Sequence, residues 1–485
     1  MSEQKPFIYQ TRRPEETLLY KTILSTLNTF LVNLQNEGRS LPHHVIKELY
    51  AYLQCGVLAY GFVRLKCEDC RSEKFVAFSC KKRGFCSSCG AKKMAETAAY
   101  LVDNIIPHVK MRQYVLSVPI PLRYWMASNK KLLAKIHKIF ALSIEKFYTD
   151  QNTNTSRSGS ICFVQRFGGA LNLNVHFHLL QIEGVYELKK TGTTKFKKTK
   201  SPSNLDIKNL VTIIQEKIIK HLRRSGYLKN LPPDEDPTDP LLEKDPTYVE
   251  LMSASVGHQI ALGERQGQKV RFIGSGFGYT GDIPELKGRL CAFLGGFSLH
   301  AAISVPRYRR NELEKLIRYT ARPSISTERM SLTKNGDIKY ELKKSWKNGV
   351  THVVLPPHEL IEKLCALIPQ PRMHLVRYSG VLAPNAKMRP HVIPGLTRAQ
   401  IKAKEKEENK DPDEKTPIKK SSWAKLLARV FEIDISKCVH CNGKMKIIAS
   451  IKDPPVIKRI LTYLGLSPIP PPLAPARMKE LFVSM

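Results

Sequence analysis

The segment LNLNVHFHLLQI, residues 171–182, carries two histidines, His176 and His178, that stand one residue apart. Its alternating apolar residues predict a strand, and side chains two positions apart share one face of a strand. Two imidazoles on one face can bind one metal ion and leave positions for a third protein ligand, water and substrate oxygens. Taken alone, the same pattern fits two hydrogen-bonded core histidines equally well.

A second set of metal ligands comes from the cysteines. Cys67 and Cys70 are followed, after fifteen intervening residues, by Cys86 and Cys89. Two CxxC pairs at this spacing are typical of one tetrahedral zinc site. Because four thiolates leave no open position for water, we expect the Zn2+ to be structural. The alternative is that these cysteines pack as small apolar side chains.

Four more cysteines are ambiguous in the sequence. Cys55 and Cys80 either replace one of the four predicted ligands or are simply buried, and we keep both outside the predicted set. Cys438 and Cys441 form a CxxC pair that has no second pair nearby. Metal binding by this pair and a reduced hairpin without metal are equally good interpretations.

The charge balance indicates an anionic partner. The chain of 485 residues has 78 Lys and Arg against 43 Asp and Glu, a net charge of +35. Such a charge repels itself unless an anionic polymer neutralises it, so nucleic acid is the expected partner. A solvated basic surface, or one that binds ribosomes or membrane surfaces, would have a similar composition.

The chain is expected to be globular and intracellular. It is 42% apolar, enough to bury the cores of a few domains. No apolar run is long enough to span a membrane, and the N-terminus lacks the layout of a signal peptide. We therefore expect reduced thiols and no membrane partner.

Periodicity predicts an α+β fold in which helices flank a central antiparallel sheet. Strands are predicted for residues 111–118 and 160–167, and the second leads through a glycine turn into the histidine strand. Residues 295–305 predict another strand, followed by a helix with the sequence RRNELEKLIRYT. Helical spacing of leucines also predicts an N-terminal helical segment.

Composition divides the chain into six parts. Residues 187–200 look less ordered and are interpreted as an insertion, and a charged stretch further on is interpreted as a linker. Near the C-terminus, KCVHCNGKMKIIASI resembles a hairpin, and Asp453-Pro454-Pro455 predicts the start of a helix. The predicted parts are an N-terminal helical segment (1–52), a zinc-binding module whose lysines suit phosphate contact (53–106), a domain around the central sheet with a basic insertion near 187–250 (107–330), an accessory extension (331–395), the charged linker (396–420) and a small α+β C-terminal domain with a CxxC pair (421–485).

The chain also carries several distinctive segments: CGVLAYGFVRLKCEDC, FSCKKRGFCSSCGAKKMAET, LSVPIPLRYW, VHFHLL, FSLHAAISV, RYTARPSIS, VRYSGVLAPNAKMR and ARVFEIDISKCVHCNGKMKIIASI. In this order they closely resemble rolling-circle transposases of the insertion-sequence common-region type, over roughly residues 50–395 and 421–475. Such proteins belong to the HUH superfamily of single-strand endonucleases, named for histidine, hydrophobic residue, histidine, as in His176-Phe177-His178. The resemblance implies a single-tyrosine HUH nuclease domain at 107–330, preceded by a transposase zinc-binding domain whose basic residues contact DNA.

In such single-tyrosine proteins the nucleophile lies on a helix beside the histidine strand, and Tyr319 in RYTARP stands at the matching position. The helical pattern agrees, because Tyr319 lies on the flank of the apolar stripe formed by Leu313, Leu316, Ile317 and Thr320. Lys315, one turn earlier on the same face, could hold the scissile phosphate or favour the phenolate. Without the resemblance, a tyrosine that merely borders the core would be the better interpretation.

The resemblance also implies a catalytic Mg2+ or Mn2+ held by His176 and His178. Related enzymes generally use a third ligand, often a polar residue on the nucleophile helix, but Pro323 stands four residues after Tyr319. We choose His300, in the strand just before the helix, and Glu312 is a weaker choice. A hydrogen-bonded strand histidine is an equally good interpretation of His300.

The implied function is a transposase that nicks and rejoins single-stranded DNA at element ends through a covalent 5′-phosphotyrosine, in rolling-circle transposition. The expected partner is DNA, mainly single-stranded or hairpin ends, in the bacterial cytoplasm in association with the nucleoid. A plasmid replication initiator or relaxase would use the same chemistry. In another class, a non-catalytic zinc-containing DNA-binding regulator would use the histidines for structure only.

Overall fold

The computed structural model describes residues 13–152, 155–189, 193–228, 239–273, 288–345, 349–395 and 438–477. It has the α+β architecture predicted from the sequence, with helices packed on antiparallel sheets. The helices are α1 (Leu18–Asn36), α2 (His43–Gln54), α3 (Ser87–Tyr100), α4 (Ile120–Ser128), α5 (Lys130–Thr149), α6 (Asn204–Arg224), α7 (Pro240–Lys244), α8 (Pro246–Val256), α9 (Arg310–Thr320), α10 (Pro357–Leu367) and α11 (Pro454–Tyr463). The strands are β1 (Phe62–Cys67), β2 (Glu73–Ala77), β3 (Met111–Ser117), β4 (Gly159–Phe167), β5 (Leu173–Ile182), β6 (Gly184–Leu188), β7 (Thr194–Lys198), β8 (Arg271–Ile273), β9 (Cys291–Leu294), β10 (Phe297–His300), β11 (Ser304–Val305), β12 (Met330–Leu332), β13 (Ile338–Glu341), β14 (His352–Leu355), β15 (Val376–Gly380) and β16 (Met445–Ile451).

The main sheet has seven strands within the described ranges. Its hydrogen-bonded order is β15-β4-β5-β3-β10-β9, and β11 also pairs with β3. Every pair in it is antiparallel. The predicted strands at 111–118 and 160–167 are confirmed as β3 and β4, and they flank the histidine strand β5 on either side.

The two faces of the main sheet bury different cores. On one face Phe177 of β5 packs against Phe140 of α5, with the ring centroids 6.0 Å apart. On the other face Leu180 joins Leu313 and Ile317 of α9 in a second core. Because His176 and His178 alternate with Phe177, the histidines share the face that α9 covers.

The described part of the N-terminal segment contains two α-helices, α1 and α2. α1 and α2 pack on each other, and α1 also packs on α10. Leu19, Ile23 and Leu27 recur at helical spacing and are fully buried in the main core. The helical prediction for this segment is therefore confirmed, with a break at residues 37–42.

In residues 184–189, 193–228 and 239–256, the structure is more ordered than the lysine-rich composition predicts. β7 pairs with β6 from Gly184↔Lys198 to Leu188↔Thr194, so the expectation of low order at 194–198 is corrected. The pairing orders this stretch, because the backbone hydrogen bonds of each strand are satisfied by the other. α6 begins at a capping box formed by Ser203 and Asp206 and packs on α5.

The C-terminal strand does not form the predicted local hairpin. β16 pairs with β1, from Phe62↔Ile451 to Cys67↔Met445, and completes a three-stranded sheet β16-β1-β2. The physical reason is that β1 has β2 on one edge only and offers its other edge to a partner. α11 begins at Pro454 with Asp453 at its N-cap, as predicted, and packs on the same sheet.

Residues 396–437, which include the predicted linker and the predicted helix after residue 420, lie outside the described residues. The described part of the predicted C-terminal domain pairs with the N-terminal module, and the domain boundaries stay predictions. Among the described helices, none is long and apolar enough to cross a membrane.

Candidate active site and metal centres

β5 presents the two histidines on one face of the main sheet. In the pairing with β4, His178 lies opposite Phe163 and His176 lies opposite Gln165. Phe177, between the histidines, is fully buried in the core on the other face. The imidazole centroids lie 5.0 Å apart. The strand alternation expected from the sequence is therefore what brings the two rings together.

α9 packs across the histidine face and brings Tyr319 to the pair. Leu313 and Ile317 anchor the helix, because both are buried in the core on this face. In the last turn, the ring of Tyr319 lies 6.4 Å from the ring of His178, at an interplanar angle of 83°. Tyr319 remains 42% exposed, so a substrate can reach its hydroxyl.

Gln165 joins the end of α9 to the sheet. Its Nε2 donates to the carbonyl oxygen of Thr320 at 2.8 Å and to that of Tyr319 at 3.3 Å. These carbonyls belong to the last turn of a helix, where no partner exists within the helix itself. Gln165 also lies opposite His176 in the strand pairing. Its buried side chain therefore connects the backbone at Tyr319 to the strand beside the histidines.

Desolvation keeps both imidazoles neutral at neutral pH. It lowers the pKa of His176 to about 4, and the nearby Arg123 and Arg322 act in the same direction, against a hydrogen bond to the backbone of Asn174. It lowers the pKa of His178 to about 3, with His176 and Arg322 adding to the effect. The neutral form is the one that binds a metal.

Both histidines make their hydrogen bonds through Nδ1. Nδ1 of His176 lies 2.9 Å from the carbonyl oxygen of Asn174, which only accepts, so Nδ1 carries the proton and Nε2 a lone pair. Nδ1 of His178 lies 2.9 Å from the side-chain amide of Gln113. Its Nε2 is buried without a hydrogen-bond partner. The amide atom nearest Nδ1 is Nε2 of Gln113, which donates to Nδ1 and leaves the ring proton on Nε2 of His178. Exchange of the amide oxygen and nitrogen of Gln113 would move the proton to Nδ1 and give Nε2 of His178 a lone pair.

Two cations lie against the ring of Tyr319. Nζ of Lys343 is 4.3 Å from the ring centroid, and Cζ of Arg322 is 4.6 Å from it. Both distances are within the range of cation–π contacts. Lys315 is exposed on α9 one turn before Tyr319, on the same side of the helix as predicted.

The structure does not bring the predicted third ligand to the pair. His300 of β10 lies opposite Val115 of β3, and Val115 lies opposite His178. His300 thus shares the face but is two strands away, roughly 10 Å at the usual strand spacing. Glu312 lies near the start of α9, exposed and paired with Arg309. Within the described chain, no His, Cys, Asp or Glu is preassembled with the pair into a metal-binding group, and the third ligand stays a prediction.

Four residues of this site were not predicted from the sequence: Gln113, Gln165, Arg322 and Lys343. A signal existed for the glutamines, since each is a polar residue inside an apolar strand that neighbours the histidine strand. Arg322 stands within RYTARP, three residues after Tyr319. Lys343 carries no signal, because only the fold brings the residues after β13 to the end of α9.

The predicted single zinc site is also corrected, because the cysteines form two separate groups. The first group is Cys55, Cys80, Cys86 and Cys89, and the second is Cys67, Cys70, Cys438 and Cys441. The four predicted cysteines are therefore divided between the two groups. Cys55 and Cys80, which were kept outside the predicted set, complete the first group. Cys438 and Cys441 group with Cys67 and Cys70, which lie far away in the sequence.

The length of β1 explains the separation. The strand starts beside the first group, where the N–H of Gly56 donates to the carbonyl oxygen of Phe78. Cys67 is its last residue, and Cys70 follows in the turn. A strand advances about 3.3 Å per residue, so the length of β1 carries this pair well beyond the reach of one ion.

The first group fits a structural Zn2+. Its closest sulfur atoms are 3.4 Å apart for Cys80 and Cys89 and 3.6 Å apart for Cys55 with Cys86 and with Cys89. Four thiolates around zinc at about 2.3 Å would be about 3.8 Å apart, so small shifts accommodate the ion. All four ligand positions are protein sulfurs, which leaves no place for a reacting water.

Two family models match the chain. Residues 159–389 match a family described as "Putative transposase", and residues 26–118 match the "Transposase zinc-binding domain". The first match includes β5 and α9, with the histidine pair and Tyr319, and the second includes all six N-terminal cysteines. No curated protein and no solved structure matches the chain. The chain is therefore similar to the transposases of this family in its central region and to their zinc-binding domain in its N-terminal region.

Proposed function

We propose that the chain nicks and rejoins single-stranded DNA at the ends of its mobile element through a covalent bond to Tyr319. The observation that carries the proposal is the 6.4 Å separation between the rings of Tyr319 and His178. At this spacing a phenolic hydroxyl and a metal-binding imidazole pair can act on one phosphate group. The site faces solvent through Tyr319, as an enzyme acting on a polymer requires.

The histidine pair would hold the catalytic cation. The buried Nε2 of His178 supports this role, because a buried polar atom without a partner costs stability unless a ligand satisfies it. Two nitrogen ligands favour Mn2+ over Mg2+, which prefers oxygen. When bound, the cation withdraws charge from the non-bridging oxygens of the scissile phosphate.

Tyr319 would supply the nucleophile. Its phenolic oxygen forms a bond to phosphorus as the bond from phosphorus to the 3′-oxygen breaks, and the proton lost by the phenol is balanced by one gained on that 3′-oxygen. The products are a 5′-phosphotyrosine and a free 3′-hydroxyl. One phosphodiester replaces another, so the bond energy is kept for rejoining without ATP.

The cations around the tyrosine would hold the phosphate beside the hydroxyl. Lys343 and Arg322 contact the ring of Tyr319 directly, and Lys315 lies one turn away on α9. A phosphate that pairs with such cations is fixed before attack, which lowers the entropic part of the barrier. We propose Lys343 and Arg322 as the main contacts and Lys315 as a further one.

The substrate would be single-stranded or hairpin DNA. In a duplex the target phosphate resists the local distortion that in-line attack requires, whereas an unpaired strand offers it freely. The net charge of +35 supports binding to the phosphate backbone and association with the nucleoid. For single strands, affinity should fall by about 0.7 log units per log unit of salt for each phosphate contacted.

Covalent capture tests the proposal. Labelled single-stranded element ends are incubated with the protein and Mn2+ and then denatured, and we expect a protein–DNA adduct. Tyr319→Phe should lose the adduct and keep DNA binding. Tyr308→Phe is the matched control, because Tyr308 is 74% exposed just before α9 and should leave the adduct intact.

Two outcomes would contradict the proposal. An undiminished adduct in Tyr319→Phe would exclude this tyrosine as the nucleophile. DNA binding without an adduct under any metal condition would favour the non-catalytic regulator. Joining of two element ends in the same reaction would separate a transposase from a replication initiator or relaxase, which shares the nicking step.

A further inference from the structure

We propose that the second cysteine group holds its own structural Zn2+, which ties the C-terminal segment to the zinc-binding domain. Cys67 ends β1 and Cys70 lies on the turn that follows, whereas Cys438 and Cys441 lie just before β16. Cys70 and Cys438 are separated by 368 residues of chain. The C-terminal pair lies beyond both regions matched by the family models.

The sulfur geometry supports a tetrahedral ion. Sγ of Cys67 lies 3.4 Å from that of Cys441, and Sγ of Cys70 lies 3.5 Å from that of Cys438. All four sulfur atoms lie within 4.8 Å of one another, and none is in a disulfide. These separations are close to the value of about 3.8 Å expected for four thiolates bound to zinc.

The backbone around the C-terminal pair is arranged for thiolates. The N–H of His440 points to Sγ of Cys438 at 3.4 Å, and the N–H of Gly443 points to Sγ of Cys441 at 3.4 Å. N–H donors directed at sulfur stabilise the negative charge that a thiolate ligand carries. A hairpin of neutral thiols would gain little from this arrangement.

The structure around the second group has a small core. The core beneath the sheet β16-β1-β2 contains three buried residues, Phe62, Ile457 and Leu461, with a few half-buried neighbours. Modules with so little buried apolar area commonly depend on a bound metal. Without Cys438 and Cys441, Cys67 and Cys70 would supply only two of four ligands, so the module is complete only when the C-terminal segment is present.

Zinc content tests this proposal on the full-length protein. We expect two Zn2+ per chain in the wild type and one in the double variant Cys438→Ser/Cys441→Ser. Cys291→Ser is the matched control, because Cys291 is a buried cysteine outside both groups and its loss should leave two ions. Cys441→His should also keep two, since an imidazole can replace one thiolate.

The zinc content of the wild-type protein tests the proposal even if a variant fails to fold. One ion per chain in the wild type, or two ions in the double variant, would overturn the proposal. Cobalt substitution gives a second measurement, because the absorption from cobalt–thiolate charge transfer should fall by about half in the double variant relative to the wild type, in proportion to the thiolates bound.

A second and separate inference concerns a cleft of about 370 Å3 between the zinc-binding domain and the main sheet. One wall is the segment from Thr320 to Ser324 that follows Tyr319 directly. Its lining residues include no Asp or Glu, whereas five are cationic: Lys82, Arg83, Lys93, Arg166 and Arg322. A site of this size and charge suits an anionic ligand.

The chemistry of the walls indicates a nucleotide. Arg166, one of the lining cations, is 4% exposed and is held by a hydrogen bond of 3.2 Å from Nη1 to the carbonyl oxygen of Ala127. Tyr100, Phe167 and Tyr378 add aromatic surface on which a base can stack. Cζ of Arg322 lies 4.6 Å from the ring of Tyr319 and 5.5 Å from that of Phe167, so it links the cleft to the candidate nucleophile.

We infer that the cleft receives one unstacked base of the DNA strand next to the scissile phosphate, while its cations hold the adjoining phosphates. This inference rests on the proposed function, because that function supplies the strand. It assigns the zinc-binding domain a share in substrate binding, since α3 and the residues before it form one side of the cleft.

Abasic scanning tests the inference without requiring cleavage. In a Tyr319→Phe background, single-stranded element ends carry one abasic site at each position in turn, and the dissociation constant is measured. We expect one position near the nick site where base removal weakens binding by about fivefold or more. In Tyr100→Ala that penalty should disappear, and in the control Tyr463→Ala, where the tyrosine is 89% exposed, it should remain.

A uniform response across all positions, or a penalty that persists in Tyr100→Ala and in Phe167→Ala, would overturn the base-binding inference. Binding of a free mononucleotide with the same affinity as the strand would indicate a small-molecule site instead. Because binding is measured in a variant without the tyrosine hydroxyl, failure of the covalent chemistry would leave this result unaffected.

Discussion

Nε2 of Gln165, on the strand next to the histidine strand, donates a hydrogen bond of 2.8 Å to the carbonyl oxygen of Thr320 at the end of α9. The same Nε2 lies 3.3 Å from the carbonyl oxygen of Tyr319. Gln165 therefore joins the backbone of the candidate nucleophile to the strand next to the histidine pair. The apolar contacts of α9 hold the helix on the sheet, and Gln165 sets how its last turn meets the histidines.

Removal of this hydrogen bond should slow the chemistry. In Gln165→Leu we expect adduct formation to slow by about 10- to 100-fold, because small misplacements of reacting groups cost this much. DNA affinity should stay unchanged, since Gln165 is 4% exposed. Single-turnover rates and dissociation constants measure the two effects separately. Equal adduct rates in Gln165→Leu and in the surface control Gln151→Leu would refute the positioning role.

The cations near Tyr319 should contribute unequally to the rate of adduct formation. Lys343→Ala is expected to reduce the rate of adduct formation more than Lys315→Ala, because Nζ of Lys343 lies 4.3 Å from the centre of the tyrosine ring. We expect a loss of about tenfold or more, in line with a charged hydrogen bond of about 1.5–3 kcal/mol. The comparison uses saturating DNA, with the exposed Lys334→Ala as the control. A larger loss in Lys315→Ala would reverse this order.

Gln113 should control metal affinity through His178. It contacts Nδ1 of His178 at 2.9 Å, and such a contact sets which ring nitrogen is free to bind a metal. In Gln113→Leu we expect Mn2+ affinity to fall by about 10- to 100-fold. Electron paramagnetic resonance of free Mn2+ measures this directly. Gln215→Leu, on α6, is the control, and an unchanged affinity in Gln113→Leu would argue against this role.

Acid should destabilise the fold through the histidines. The folded-state pKa is about 4 for His176 and about 3 for His178, against 6.5 for the free side chain. As the pH falls below 6.5, the unfolded chain binds protons that the folded chain does not, so the free energy of unfolding decreases toward pH 4. The stabilising contribution is fully present only above pH 6.5.

The double variant His176→Asn/His178→Asn should therefore show a weaker dependence of unfolding free energy on pH between 6.5 and 4. His137 and His258, whose pKa values are lowered to about 4 by burial, keep part of the slope in both proteins. Urea unfolding at several pH values measures the free energy of unfolding of the wild type and of the double variant. Protonation of the zinc ligands by acid affects the two proteins equally. Identical slopes would show that the pair is not buried in its neutral form.

Local patterns in the sequence determined much of the candidate site. The alternation of strand residues places His176 and His178 on one face, and helical periodicity places Tyr319 on the flank of α9. These predictions rest on repeats of a few residues, which the backbone geometry of a strand or helix enforces wherever the element lies. The CxxC pairs were visible for the same reason, since each is a single turn of chain.

Only the tertiary structure decided which distant elements meet. It joined Cys67 and Cys70 to Cys438 and Cys441, and it placed His300 two strands from His178. Strand order and the packing of α9 depend on the sum of many long-range contacts, to which no single residue pattern corresponds. Spacing along the chain limits how far apart two ligands can lie, but the fold determines whether they come together.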